Sequence, residues 1–184
     1  MHYQIEADNR EINSLNLSKW LLEFTNRILP KRIELEKYYD GENKIVKQGA
    51  VSGRPNYLIN VNMSKYITDV ATGYFIGKPV TYEAKNENTK TILEKIKDIN
   101  KNCCDDEIDY QVAGDMSVFG IGYQLVVVKE GTEPLEERII FKRLDPKRTF
   151  YVTDNTVLRE PLCAVYYYTY RENRQVKNLS LIHI

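Results

Sequence analysis

Hydrophobic positions recur with a helical period through the first two-thirds of the chain and with a strand period after it. Leu17, Leu21, Phe24 and Ile28 stand at i, i+4, i+7 and i+11, one face of a helix, with Ser14 or Asn16 placed to cap its start. Pro30 interrupts that pattern and suits the first position of a second short helix running to Tyr39, which Asp40 and Gly41 stop. Residues 1–14 are polar without a period and are expected to form a flexible arm; residues 44–55, rich in Gly, Lys and Arg, are expected to form a loop. In the clearest helix, Asn62 caps, Met63, Ile67, Val70 and Tyr74 share a face, and Gly77 is placed to supply a left-handed last residue. Lys78 and Pro79 prevent its continuation, and Val80 to Ala84 read as a short strand. Gly73, inside this helix, is expected to admit a neighbouring backbone, so that Gly73→Leu is harmful.

Two more helices follow: Thr89 to Asn102 with Ile92, Leu93, Ile96 and Ile99 on one face, and Asp105 to Phe119 with Ile108, Val112, Met116 and Phe119 inward. After Gly120 the period shortens. Tyr123 to Lys129 and Arg138 to Leu144 read as an antiparallel hairpin about a turn at Glu130 to Glu136, and Thr149 to Thr153 and Leu162 to Tyr170 as further strands. Helices first and strands later predict an α+β fold, with N-terminal helices packed on an antiparallel sheet. The expected core is Leu21, Phe24, Ile67, Val70, Ile96, Val112, Met116, Phe119, Leu125 and Val127. On that reading, Val112→Asp or Met116→Asp buries an unpaired charge and abolishes soluble folding.

Length and composition narrow the class. At 184 residues the chain is one domain, or one with an appended arm, and two enzyme domains do not fit. With 42% hydrophobic and 28% charged residues, wholesale disorder is excluded. The longest aliphatic run, Leu125 to Val128, is far short of the roughly 20 residues of a membrane helix. Twenty-six basic residues balance 26 acidic ones, so no global field draws the chain to nucleic acid or an anionic membrane. The start, Met1, His2 and Tyr3, lacks the form of a secretory signal, so the expected compartment is a cytoplasm. Three cysteines, with Cys103 and Cys104 adjacent, read as reduced thiols. Fourteen tyrosines stand against 5 phenylalanines and one tryptophan, which favours half-buried positions and subunit contacts.

Candidate chemistry is sparse. The histidines are His2 and His183, at the two ends, so a Ser or Cys nucleophile has no general base. Cys103, Cys104 and Cys163 lack the paired spacing of a zinc site. Asp105, Asp106, Glu107 and Asp109 offer carboxylates to a divalent cation in principle, but their position reads first as a helix start complementing the dipole. Gly120 to Gly122 precedes a strand and not a helix, so it reads as a bend and not as a phosphate cradle. Lys44, Lys47, Arg54, Lys65 and Lys78 are candidates for nucleic-acid backbone contact, with a solvated mixed-charge face as the alternative. The tyrosines of Tyr166 to Tyr170 could stack bases, though strand packing or an interface is the commoner use. No catalytic, cofactor or metal site is predicted, and no enzyme activity.

The last six residues, LSLIHI (179–184), fit nothing before them. Back-translated, they are compatible with a transposon-derived sequencing adapter, CTG TCT CTT ATA CAC ATC. The expectation is therefore a non-native tail on a chain that continues beyond Asn178, with a chance apolar strand as the alternative.

Five blocks carry a resemblance: EKYYDGENKI (36–45), NYLINVNMSKYITDVATGYFIGKPVTYE (56–83), DMSVFGIGYQLVVV (115–128), LDPKRTFYVTDNT (144–156) and PLCAVYYY (161–168). In this order they resemble the N-terminal part of tailed-bacteriophage portal proteins, the head–tail connectors of siphovirus type, and GYFIGKPVTY (73–82) is the most specific of them. The resemblance implies a structural subunit. It would form a ring, typically dodecameric, at one capsid vertex of the virion, assembled in the host cytoplasm. The terminase motor, the capsid and head-completion proteins would be its partners, and double-stranded DNA would pass through its channel. It further implies that residues 15–178 are a wing-like domain truncated before the stem and clip. Two other readings stand beside it: a virion adaptor or minor head protein sharing a wing-like module, and a metal-dependent nucleic-acid-processing enzyme using Asp105 to Asp109.

Overall fold

In the computed structural model, which describes residues 4–8, 10–42, 61–172, 175–178 and 181–182, Ser14 to Tyr39 form one helical run in three parts. These are α1 (Ser14–Glu23), a π-helical turn (Phe24–Ile28) and α2 (Leu29–Tyr39). Asn13 caps the start, in place of the expected Ser14 or Asn16, its side-chain oxygen accepting the Asn16 amide at 2.8 Å. Pro30 does not break the run. Proline lacks an amide proton and its ring crowds the carbonyl four residues back; a wider turn carries the chain past it, with the Leu29 amide donating to the Phe24 carbonyl five residues earlier. Phe24 and Ile28, on this turn, are buried together with Trp20 of α1.

That face covers a four-stranded sheet ordered β1-β4-β5-β8, built from β1 (Ile5–Ala7), β4 (Thr149–Asp154), β5 (Pro161–Tyr166) and β8 (Leu181–Ile182). β1 runs parallel to β4, pairing Ile5 with Val152 and Ala7 with Asp154, while β5 is antiparallel to both β4 and β8. Phe24 stacks on Phe150 with ring centroids 4.6 Å apart and meets the edge of Tyr167 at 5.8 Å. Ile5, Trp20, Ile28, Val152, Cys163 and Val165 close the core around them.

The expected arm over residues 1–14 therefore needs correction: its residues 5–7 are an edge strand, with Ile5 and Ala7 inward and Glu6 outward. Three alternating residues are too few to register as a period. At the other edge, Leu181–Ile182 pair with β5 as a short strand. The strand expected from Leu162 to Tyr170 ends at Tyr166, and the chain restarts as β6 (Thr169–Glu172), which pairs with β7 (Gln175–Asn178).

The remaining elements form a helical layer and a hairpin: α3 (Met63–Ile76), α4 (Glu87–Cys103), α5 (Asp105–Phe119), β2 (Tyr123–Val128), a helical turn α6 (Leu135–Arg138) and β3 (Ile139–Leu144). β2 and β3 pair from Tyr123–Leu144 to Val128–Ile139. Gly120, at φ 74°, donates its amide to the Met116 carbonyl and turns the chain from α5 into the hairpin, the bend expected there. The class is α+β as expected, with the strands divided among three sheets, the largest of them mixed, in place of a single antiparallel sheet.

Several local expectations change. Gly77 ends α3 in right-handed geometry, φ −68°, and is needed for another reason: a Cβ there would collide with the Gly73 carbonyl oxygen. A Cβ on Gly73 meets nothing within 4 Å, so that glycine admits no neighbour. Among the described residues, Val80 to Ala84 pair with no strand. Of the expected core, Phe24 and Phe119 are buried, and Leu21, Val112 and Leu125 are half-buried. Ile67, Val70, Ile96, Met116 and Val127 are exposed. Met116→Asp consequently buries no charge, because α5 turns Ala113, Asp115 and Phe119 inward. The loop expected at residues 44–55 lies outside the described residues.

Candidate functional site

The side chains that α3 turns inward are small and mostly hydroxylic. Ser64, Thr68, Thr72 and Ile76, spaced four apart, are buried or half-buried where the helix meets α2 and α5. Thr72, the fully buried one, donates its hydroxyl to the Thr68 carbonyl at 2.9 Å and leaves no unmet polar group. The opposite stripe holds Met63, Ile67, Val70 and Tyr74, flanked by Tyr66. All are exposed, Tyr74 at 90%. The four residues predicted to share a face do share it, but the face points away from the other described residues.

Two bonds fix α3 in that orientation. The Tyr39 hydroxyl at the end of α2 donates to Asp69 at 2.9 Å, and the Asn62 side-chain amide donates to the Tyr39 carbonyl at 2.7 Å. Burial and the Asp69 carboxylate push the Tyr39 phenol up to about 12, so it is a hydrogen-bond donor throughout the physiological range. Between α2, α3 and α5 lies a cleft of about 510 Å³ whose lining includes Glu36, Tyr39, Lys65, Asp69, Asp115 and Arg143. Most of its charges are partnered: Arg143 grips Asp115 through two bonds of 2.5 and 2.6 Å, Lys147 reaches Glu36 at 2.5 Å, and Lys65 lies 5.5 Å from the Tyr39 ring centroid. Burial pushes the Asp115 carboxyl upward, and the Arg143 hydrogen bond and charge only partly oppose it. The cleft is a set of paired charges tying helices together, without a nucleophile and base in reach of one another.

The other singled-out residues fare as follows. Asp105 is buried at the start of α5, its carboxyl raised by burial and by Asp109 and Asp106, whereas Asp106 and Glu107 face solvent and Glu107 accepts from Gln111. Among the described residues no group of three or more His, Cys, Asp or Glu is arranged to hold a metal ion. Cys103 donates to the Ile139 carbonyl, Cys104 is exposed, and Cys163 lies in the core with its thiol pushed up by burial; all three are free. Tyr167 belongs to the core, its hydroxyl donating to the Lys147 carbonyl at 3.1 Å, while Tyr166 and Tyr168 lean on each other at 6.2 Å. His2, His183, Lys44, Lys47 and Arg54 lie outside the described residues.

A second apolar feature escaped the sequence reading. The loop from β4 to β5 is gathered around Asp154, which accepts from Arg10 at 2.5 Å, the Thr156 hydroxyl at 2.8 Å and the Glu160 amide at 3.0 Å. Arg159, at φ 50°, donates its amide to the Thr156 carbonyl and closes the turn. The result is an ordered tip that holds Val157 fully and Leu158 almost fully in solvent. The sequence signal was present in Asp154-Asn155-Thr156, residues that bond their own backbone in turns.

No described helix is long and apolar enough to cross a membrane. No curated protein matches the chain. The family model described as phage portal protein, SPP1 Gp6-like, matches residues 18–182.

Proposed function

The chain belongs to the SPP1 Gp6-like phage portal protein family, a structural component of the phage virion, and on that premise we propose that it is a subunit of the ring at one capsid vertex. Through that ring double-stranded DNA is packaged, and to it head-completion proteins attach. Its partners are further copies of itself, twelve in the full ring, together with the terminase motor and the capsid. It assembles in the host cytoplasm and performs no catalysis of its own. Residues 15–178 serve as the wing-like part of the subunit.

The family match over residues 18–182 carries this reading. The exposed apolar stripe on α3 supports it, since a helix whose hydrophobic face points outward is suited to a subunit that meets neighbours. The ion pairs Arg143–Asp115 and Lys147–Glu36 at the cleft support it too, since they tie elements of a scaffold together. Electron micrographs of the product expressed from the uninterrupted gene test it: toroids are expected, and compact monomers under all conditions would overturn it. Sequencing across codon 178 supplies the gene-level test. A frame running on into stem and clip sequence, with a terminase large-subunit gene upstream, is expected; a frame without them favours the adaptor reading.

A further inference from the structure

We propose that the outer face of α3 and the Val157–Leu158 tip are the two halves of one contact, the tip of each copy of the chain resting on the α3 face of the next. The proposal rests on the ring reading above and deepens it by naming the surfaces that meet.

The first observation is area. With about 150–250 Å² for a whole aromatic side chain, the exposed parts of Met63, Tyr66, Ile67, Val70 and Tyr74 present on the order of 600–700 Å². That approaches the roughly 800 Å² one partner contributes to a standard interface. It also stands at the upper end of the roughly 300–600 Å² of the largest patch on a typical monomer, a size that is often functional.

The second observation is order. Val157 and Leu158 are held out by a turn that Asp154, Thr156, Glu160 and Arg10 fix from beneath. An apolar tip already fixed in place loses little conformational freedom on docking.

The third is placement. Arg10 and β1 tie the tip to the N-terminal end of the helical run Ser14–Tyr39, whereas the Tyr39–Asp69 bond ties α3 to its C-terminal end. At 1.5 Å per residue those ends are up to about 37 Å apart. Contact between two α3 faces would close at two copies and leave both tips in water. Contact between α3 and a tip engages both surfaces and continues from copy to copy, as a ring requires. A second copy therefore fits better than an unrelated protein, because each chain carries both halves in equal number.

The test replaces Tyr74 by benzoyl-phenylalanine in the 184-residue chain, mixes light and heavy-isotope preparations, irradiates and maps the linked peptides by mass spectrometry. Mixed light–heavy products joined to a peptide containing Val157 and Leu158 are expected. Links confined to one copy, including any to residues 43–60, or links between two α3 helices, would overturn the proposal. In parallel, the double variant Val157→Asp/Leu158→Asp should weaken self-association at least tenfold by sedimentation, with unchanged circular dichroism because both side chains are exposed in the monomer. An unchanged association constant, or a wild-type chain monomeric at several hundred micromolar, overturns it as well. Toroids whose cross-links fall elsewhere would end this proposal and leave the portal reading standing; the expected cross-links without toroids from the complete gene product would do the reverse.

Discussion

Among the described residues, Arg32 is the largest fully buried side chain and no carboxylate pairs with it. Its guanidinium donates to the carbonyls of Pro146 and Thr149 and to the Tyr123 hydroxyl, with the Phe24 and Tyr123 rings 5.3 and 5.7 Å away. A planar fork of donors reaches three acceptors that a single ammonium cannot reach together, so α2, β2 and the approach to β4 are held at one point. Arg32→Leu leaves those acceptors buried without a donor and is expected to lower stability by about 2–4 kcal/mol. A urea midpoint shift worth less than about 0.5 kcal/mol would show that the tie is dispensable. Asp115 makes a prediction with a sign. Burial holds its carboxyl above the usual range even beside Arg143, so its proton binds the folded state more tightly than the unfolded one. That contribution is present below the ordinary carboxylate value and lost as pH rises through the raised one. Arg143→Met removes the opposing charge and raises the carboxyl further. The variant should be about 2–3 kcal/mol less stable at pH 7, less than for a fully buried pair because Arg143 is 36% exposed. Its deficit should shrink at pH 5, and a deficit independent of pH would mean that Asp115 is not its source.

Whole elements tell how far a period can be read. The span of α5 and the β2–β3 pairing were legible, because long repeats flanked by a capping glycine leave little choice of boundary. The direction of a face was not. Met63, Ile67, Val70 and Tyr74 stand on one stripe in any α-helix, and the packing of α3 on α2 and α5, with the Tyr39–Asp69 and Asn62–Tyr39 bonds, decides that this stripe looks outward. α4 repeats the lesson, with Ile92 and Ile96 exposed on its apolar side. Pro30 misled differently: a π turn absorbs the missing donor, which the residue types do not announce. Two glycines convert this into measurement. Gly73 is exposed in mid-helix with open space where a Cβ would go, so Gly73→Ala should stabilise by about 1 kcal/mol, against the close backbone approach on which the expected harm of Gly73→Leu rests. Gly120 sits at φ 74°, so Gly120→Ala should destabilise by about 1 kcal/mol or more. Thermal melts of the two variants should move in opposite directions; melts moving together would mean that the left-handed turn does not govern this boundary.

At the scale of the molecule the apolar burial is uneven, and this explains why the candidate surfaces were hard to foresee. Ile5, Trp20, Phe24, Ile28, Phe150, Val152, Cys163 and Val165 gather residues from both ends of the sequence around one sheet, whereas α3 fully buries only Thr72 and α4 fully buries nothing. A pattern of types along the chain cannot separate a hydrophobic residue kept for the core from one kept for a neighbour, because both obey the same period. Val157 and Leu158 carry no period at all, and their exposure follows from a turn fixed by Arg10, far away in sequence. The unevenness has a dynamic consequence. Opening a segment exposes only the apolar surface that segment had buried, so the local opening free energy should be greatest where burial is greatest. Native-state hydrogen exchange of the dilute chain should show β4, β5 and the α1–α2 run as the most protected amides, with α3 and α4 opening more readily. As concentration rises and copies associate, α3 amides should slow before those of α4, because α3 carries the stripe that a neighbour covers. Protection already uniform in the dilute chain would mean that α3 and α4 are held by something other than the apolar contacts described here, and the division into a firm core and a looser outer layer would have to be abandoned.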